Sequence, residues 1–427
     1  MSNPNYHINT KCIQGGYQPE NGQPRVLPIY QSTTYKYDSS EHVGRLFDLV
    51  EDGFFYSRIA NPTVDAVERK IAELEGGIGA LCTSSGQAAV LLAILNICNA
   101  GDHIISSAAI YGGTTNLFTV TLKKLGIEVT MISPESSEDE IQAAFQDNTK
   151  CLYAETIANP ALIVADLEKF AKLAKKNGVP FMVDNTFPTP INCRPIEFGA
   201  NIVVHSTSKY MDGHAVALGG VIVDGGNFDW NNGKFPELST PDESYHGMIY
   251  TESCGNKAYI VKARVQLMRD FGSTPSPNNA FLLNLGLETL HLRVERHCSN
   301  ALKVAEWLEK NEKIAWVNYP GLMSSKYYER AKKYMPNGTC GVISFGVKGG
   351  RDAAVKFMDS LKLAAIVVHV ADARTSVLHP ASTTHRQLND EQLVEAGVSP
   401  DLVRMSIGIE DVNDIISDLE QALEEVK

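Results

Sequence analysis

Between residues 61 and 224 the chain alternates short apolar, strand-like runs with longer runs of helical periodicity, and few folds tolerate that rhythm. Asn61-Pro62 opens the first helical run, whose apolar residues Val64, Val67, Ile71 and Leu74 share one face, and Gly76-Gly77 ends it. Strand candidates follow at Gly79–Thr83, His103–Ser107, Glu128–Ile132, 150–155, 180–184, 201–205 and Gly220–Asp224, with helical stretches between most of them. Strands that alternate with helices pair in parallel, and the crossover helices cover both faces of the sheet. The expected fold class is therefore α/β, a mostly parallel central sheet with helices on both faces. The last third of the chain predicts a smaller α+β domain. Its strands are expected at 341–347, 365–370 and 402–408. A closing helix starts near Asp411, with Val412, Ile415, Ile416, Leu419 and Leu423 on one stripe.

The flanks read differently. Residues 1 to 60 carry Gly15-Gly16, several prolines and the aromatics Tyr30, Tyr35, Tyr37, Phe54, Phe55 and Tyr56, without sustained periodicity. Such a segment is too irregular for a core of its own and too apolar for a free tail. It is expected to be an arm lying across another surface, that of a neighbouring subunit. The expected organisation is an arm over 1–60, an α/β domain over 61–262 and a C-terminal α+β domain over 263–427. The Gly/Asn/Pro-rich stretch 225–255 is long for a loop, and loops of that length are often functional.

Charge and composition exclude several classes. Fifty acidic residues against 38 basic ones give a net charge of −12, and no dense Lys/Arg run is present, so a nucleic-acid partner is not expected. No apolar run reaches the roughly 18 residues of a membrane-spanning helix. The start MSNPNYHINT lacks a basic patch followed by an apolar core, which predicts a cytoplasmic protein. Eight cysteines without a C-x-x-C pair fit reduced thiols. There is no phosphate-binding G-x-x-x-x-G-K-[ST], and Gly77-Ile78-Gly79 lacks the third glycine of a dinucleotide fingerprint. Cys82-Thr83-Ser84-Ser85-Gly86 has Cys where a nucleophile elbow needs Gly. No compact His/Cys set suggests a metal. His205 and His369 lie in apolar runs and read as core histidines.

Open α/β sheets bind ligands at the carboxyl ends of their strands, so the residues that follow each strand carry the functional signal. After the first strand, Ser84-Ser85-Gly86-Gln87 leads directly into an apolar helix, an arrangement that suits a phosphate. After the second comes Tyr111-Gly112-Gly113, a ring able to lie against a planar ligand. Asn159-Pro160 follows the fourth strand and offers an amide donor. Asp184 ends the wholly apolar run Phe181-Met182-Val183, where a carboxylate needs a cation or several donors. Ser206-Thr207-Ser208-Lys209 ends the sixth strand. Desolvation there frees a lysine amine for Schiff-base chemistry, and Ser206 and Ser208 offer hydroxyls to a phosphate. Each signal alone is also that of an ordinary cap, turn or packing aromatic. In this order, from successive strand ends, they supply a phosphate site, a stacking ring, a partner for a protonated pyridine and a Schiff-base lysine, the set that pyridoxal 5′-phosphate requires.

Over nearly its whole length the chain also resembles the Cys/Met-metabolism branch of fold-type I pyridoxal-phosphate enzymes. The resemblance rests on Tyr56-Ser57-Arg58 with Asn61-Pro62-Thr63, Ser85-Gly86-Gln87-Ala88, Glu155-Thr156 with Asn159-Pro160, Asp184-Asn185-Thr186, Ser206-Thr207-Ser208-Lys209-Tyr210, His379-Pro380-Ala381-Ser382 and Arg404 within LVRMSIGIED. It implies Lys209 as the covalent anchor of the cofactor, Asp184 on the pyridine nitrogen, Tyr111 stacked on the ring and Asn159 at the ring hydroxyl. Gly86, Gln87, Ser206 and Ser208 would bind the phosphate, joined by Tyr56 and Arg58 from a neighbouring subunit of a homotetramer built as a dimer of dimers. Arg404 would clamp the substrate carboxylate, helped by the segment around Thr375. The stretch 225–247 and the runs Ala280-Phe281-Leu282-Leu283 and Glu295-Arg296-His297-Cys298 are similar to the sulfhydrylase branch of the family. That implies replacement of the acetate of O-acetylhomoserine by sulfide or methanethiol. Methionine γ-lyase and cystathionine γ-synthase are the alternatives. The lyases carry cysteine two residues after the stacking tyrosine, where this chain has Gly113.

Overall fold

The side chain of Asn61 accepts a hydrogen bond from the Thr63 N–H and Pro62 takes the first helical position, so the helix Pro62–Glu75 starts where the sequence places it. Gly76 ends it at φ 78°, a conformation that favours glycine. Val64, Val67, Ile71 and Leu74 are all buried. The computed structural model describes residues 6–383 and 399–426.

Seven strands form the central sheet: β1 Gly79–Thr83, β2 His103–Ser107, β3 Glu128–Ile132, β4 Thr149–Glu155, β5 Phe181–Asp184, β6 Ile202–His205 and β7 Gly220–Asp224. Their order is β1-β7-β6-β5-β4-β2-β3. β2, β3, β4, β5 and β6 pair in parallel, while β7 runs antiparallel to both of its neighbours. The sheet is buried on both faces, as alternation requires. In β4, Leu152 and Ala154 join one apolar cluster and Cys151 and Tyr153 the other. Truncating Leu152 to alanine in such a layer costs roughly 2–5 kcal/mol.

A second sheet has the order β10-β11-β12-β9-β8, from β8 Ile314–Asn318, β9 Val342–Val347, β10 Ala365–Ile366, β11 Ser376–Leu378 and β12 Leu402–Ser406. The strand expected over 365–370 is only two residues long, because the chain bends away and leaves Val367 and Val368 exposed. β8 and β11 are not among the expected strands: β8 is an edge strand with only Ile314 buried, and β11 spans three residues. The closing helix is Val412–Glu424, capped by Asp411.

Two expectations need correction. The segment before Asn61 is not wholly irregular, since it contains the helices Ile8–Gln14 and Ser40–Phe47. The first packs on the chain's own helix Pro62–Glu75 and buries Cys12 completely. Val26, Ile29, Tyr30 and Tyr56 nevertheless remain exposed. The stretch 225–255 is not a free loop. Trp230 stacks on Tyr259 with ring centroids 5.1 Å apart, and Lys150 Nζ donates to the Lys234 carbonyl at 2.6 Å. None of its residues lines the cavity described next.

Candidate active site

The ends of β1, β2, β4, β5 and β6 open into one cavity of about 1350 Å³. β7 is antiparallel and contributes no carboxyl end there. Nine of the twelve residues singled out from the sequence line this cavity: Gly86, Gln87, Tyr111, Asn159, Asp184, Ser206, Ser208, Lys209 and Arg404.

The wall beside β1 is the N-terminus of the helix Gly86–Leu95. Ser85 caps it, its hydroxyl accepting from the Ala88 N–H at 3.1 Å. The first-turn N–H groups of a helix have no intrahelical acceptor and carry the positive dipole end. Gly86 permits the close approach of β6: a Cβ there would lie 2.7 Å from the Ser206 Cβ. The Ser208 hydroxyl is engaged with the Gly219 backbone, accepting from its N–H at 2.9 Å.

Glu155, buried at the end of β4, holds two loops. Its carboxylate accepts from the Tyr111 N–H at 2.6 Å and the Asn159 N–H at 3.3 Å. Burial, reinforced by nearby Asp184, pushes its carboxyl well above the usual range. Asp184 is likewise pushed up by burial, against two hydrogen bonds from Thr186. Among the described residues no lysine, arginine or histidine nitrogen lies within 4.0 Å of the Asp184 carboxylate.

Two cations complete the cavity. Burial, with Arg404 nearby, lowers Lys209 to about 8, so about a tenth of it is neutral amine at pH 7. Lys262 is lowered equally, to about 8, but it donates to the Asn96 carbonyl at 3.1 Å and does not line the cavity. Arg404 projects from β12, where it pairs with Ser344 of β9 and Leu378 of β11. Its guanidinium donates to Asn159 Oδ1 at 3.3 Å and the Val368 carbonyl at 3.0 Å, while Nε has no partner among the described residues. Burial lowers it to about 10, which still leaves it cationic at neutral pH. No carboxylate within 4.0 Å balances it among the described residues.

The remaining three sequence candidates lie elsewhere. Tyr56 and Arg58 are exposed, the guanidinium 5.2 Å from the Tyr56 ring centroid and donating to the Arg269 carbonyl. Thr375 is buried outside the cavity lining, and its hydroxyl donates to Glu410 at 2.9 Å. His205 is a core histidine as expected, its Nε2 2.6 Å from the buried Glu75. His369 is not: it lines the cavity, with Nδ1 3.2 Å from Lys209 Nζ. The apolar run Val367-Val368-His369-Val370 imitates a strand, which hides this from the sequence. Glu155 and Thr186 stood within sequence motifs without an assigned task.

This set fits pyridoxal 5′-phosphate. A buried carboxylate lacks a cation, a partly neutral lysine faces the same space, and a helix N-terminus beside two serines is open to a phosphate. A buried guanidinium without a carboxylate partner adds room for a second anion. The family model for Cys/Met metabolism PLP-dependent enzymes matches residues 9–424. An O-acetyl-L-homoserine sulfhydrylase of Leptospira meyeri is 46% identical, with 99% of this chain and 98% of the relative covered. A homocysteine synthase of Schizosaccharomyces pombe is 47% identical, with 98% of each covered. Among solved structures, a Campylobacter jejuni chain described as an O-acetylhomoserine (thiol)-lyase and carrying a pyridoxyl-lysine phosphate superposes with a TM-score of 0.95. It is 36% identical, with 98% of this chain and 100% of that chain covered. On this evidence the chain belongs to the Cys/Met metabolism family of PLP-dependent enzymes.

Proposed function

We propose that the protein catalyses γ-replacement: O-acetyl-L-homoserine and sulfide give L-homocysteine and acetate, with methanethiol giving methionine instead. One observation carries the reading. A partly neutral Lys209 and an unbalanced Arg404 face the same cavity, a combination that suits an α-amino acid with a free carboxylate. The names of the full-length relatives supply the acyl donor and the thiol.

When bound, the cofactor supplies an electron sink for charge at the substrate's α-carbon. Asp184 would hold the pyridine nitrogen in its protonated form, because a cation there relieves the cost of burying the carboxylate. Tyr111 would cover the ring, and Asn159, whose Oδ1 faces Arg404, would have its amide N–H₂ available to the ring hydroxyl. The N–H groups at Gly86 and Gln87, with Ser206 and Ser208, would hold the phosphate. Arg404 takes the substrate carboxylate with its paired N–H groups. Lys209 would move protons at the substrate carbons.

Tyr56 and Arg58 complete a neighbouring subunit's phosphate site in a homotetramer built from two dimers. Their exposure, with that of Val26, Ile29 and Tyr30, supports a covering partner. A cytoplasmic setting belongs to the same reading and agrees with eight unpaired thiols. Gly113 favours replacement over γ-elimination: a Cβ at that position would lie 2.4 Å from the Tyr111 ring, so a cysteine there forces the ring aside.

The test is a product assay on purified protein with O-acetyl-L-homoserine and each thiol in turn. Thiol-dependent release of acetate with stoichiometric homocysteine or methionine supports the reading. Thiol-independent release of a keto acid and ammonia would assign a γ-lyase, and a requirement for cysteine would assign a cystathionine γ-synthase.

A further inference from the structure

The contact between Lys209 Nζ and His369 Nδ1, 3.2 Å long, lies inside the cavity and has no part in the reaction as described so far. His369 stands where the chain leaves β10, with its ring half-buried. Its Nε2 is buried and has no hydrogen-bond partner among the described residues. Besides Lys209 in direct contact, the charges of Arg404, Asp372 and Asp212 act on the ring. Burial first, and then Lys209, lower its affinity for a proton, which favours the neutral imidazole.

A neutral imidazole has one lone pair and one N–H. Facing an ammonium, Nδ1 must present the lone pair and the hydrogen resides on Nε2. The same tautomer accepts an N–H from a neutral amine and leaves the amine's own lone pair pointing elsewhere. The bond to the ammonium is charge-assisted, roughly twice as strong as the bond to the neutral amine. The contact therefore orients the lone pair of Lys209 before proton uptake and strengthens after it.

We infer that His369 is a positioning residue for the reaction, the hydrogen-bond acceptor that orients the Lys209 amine and stabilises it once it has taken a proton. This rests on the reading of Lys209 as the reactive amine. It requires no change in the charge of His369, because the imidazole stays neutral throughout.

The experiment compares wild type, His369→Leu and His369→Asn as full chains stripped of cofactor. Pyridoxal phosphate is added, and the rate of covalent uptake is followed by visible absorbance across pH. Only the neutral amine reacts, so the wild-type rate rises through a midpoint near the Lys209 value of about 8. Loss of the acceptor in His369→Leu moves that midpoint to lower pH by about 0.5–1 unit, the size of one hydrogen bond. In the reloaded enzyme kcat falls about tenfold or more with KM little changed, as expected when proton transfer alone is impaired. His369→Asn retains an acceptor and recovers most of both effects.

An unshifted midpoint with wild-type kcat in His369→Leu overturns the inference. If the leucine variant takes up no cofactor, His369→Ala with added imidazole is measured instead. Restoration of the midpoint by imidazole supports the inference, and failure to restore it counts against it. The uptake curves need no amino-acid substrate. A wrong choice of acyl donor or thiol would thus surface in the product assay and leave this result readable.

Discussion

The hydroxyl of Thr186 donates to Asp184 Oδ1 at 2.5 Å, and the backbone N–H of Thr186 donates to the same oxygen at 2.9 Å. The hydroxyl also accepts from the Ser206 N–H at 2.9 Å. One side chain thus ties the end of β5 to the end of β6, and ties the carboxylate proposed for the pyridine nitrogen to a serine proposed for the phosphate. Thr186→Val keeps the shape but strands the Ser206 N–H and removes a donor from Asp184, a loss of about 1–3 kcal/mol. Cofactor affinity, measured by absorbance titration of the stripped chain, should fall about tenfold or more. Thr186→Ser should bind nearly as wild type. Equal affinity in the valine variant would remove Thr186 from the site's support.

Gly113 bears on reaction choice. Its φ lies outside the left-handed region, so alanine is compatible with the backbone, yet the added Cβ meets the Tyr111 ring. Gly113→Ala should leave thermal stability within about 1 kcal/mol of wild type. It should lower kcat for γ-replacement and raise the share of keto acid among the products. Chromatographic product ratios read this directly, and an unchanged ratio with unchanged kcat would mean that Tyr111 tolerates displacement.

Arg404→Lys removes the paired N–H groups and keeps the charge. A lysine cannot make two parallel bonds to a carboxylate. The expected loss in kcat/KM for acetylhomoserine is about 2–5 kcal/mol, carried mainly by KM, if the pair is desolvated as its burial suggests. An unchanged KM would move the substrate carboxylate elsewhere.

Much of this site was legible because the chemistry sits at strand ends, and apolar runs mark strand ends well. Asp184 stands out as a carboxylate closing Phe181-Met182-Val183, and Lys209 follows three hydroxyl residues at the next strand's end. The fold of 61–224 was legible for the same reason. β4, β5 and β6 differ from the sequence reading by a single residue at their starts. Signals failed where apolar residues serve another purpose. Val367 and Val368 suggest a strand but are exposed beside His369, so a cavity residue passed for a core histidine. Edge strand β8 reads Ile314-Ala315-Trp316-Val317 without an apolar–polar alternation to mark a strand, and only Ile314 of it is buried. The segment around Thr375 was expected to help Arg404, and the Thr375 hydroxyl donates to Glu410 outside the cavity lining.

Sharing of sites between subunits is testable by mixing two inactive variants, Arg58→Ala and Lys209→Ala. In a hybrid dimer one site takes both defects and the other takes neither. Part of the activity should return after subunit exchange. No recovery despite hybrids verified by mass spectrometry would mean that Arg58 does not serve a partner's site.

The proposed chemistry requires the cofactor to be anchored at Lys209, and not at another lysine with similar acidity. Lys262 is the natural control, since burial lowers it to the same value of about 8. Borohydride reduction of the purified yellow protein, followed by proteolysis and mass mapping, reads the anchor directly. A phosphopyridoxyl group on the peptide containing Lys209, with Lys262 unmodified, is the predicted result. An adduct on Lys262 or any other lysine, or bleaching without an adduct at Lys209, would contradict it.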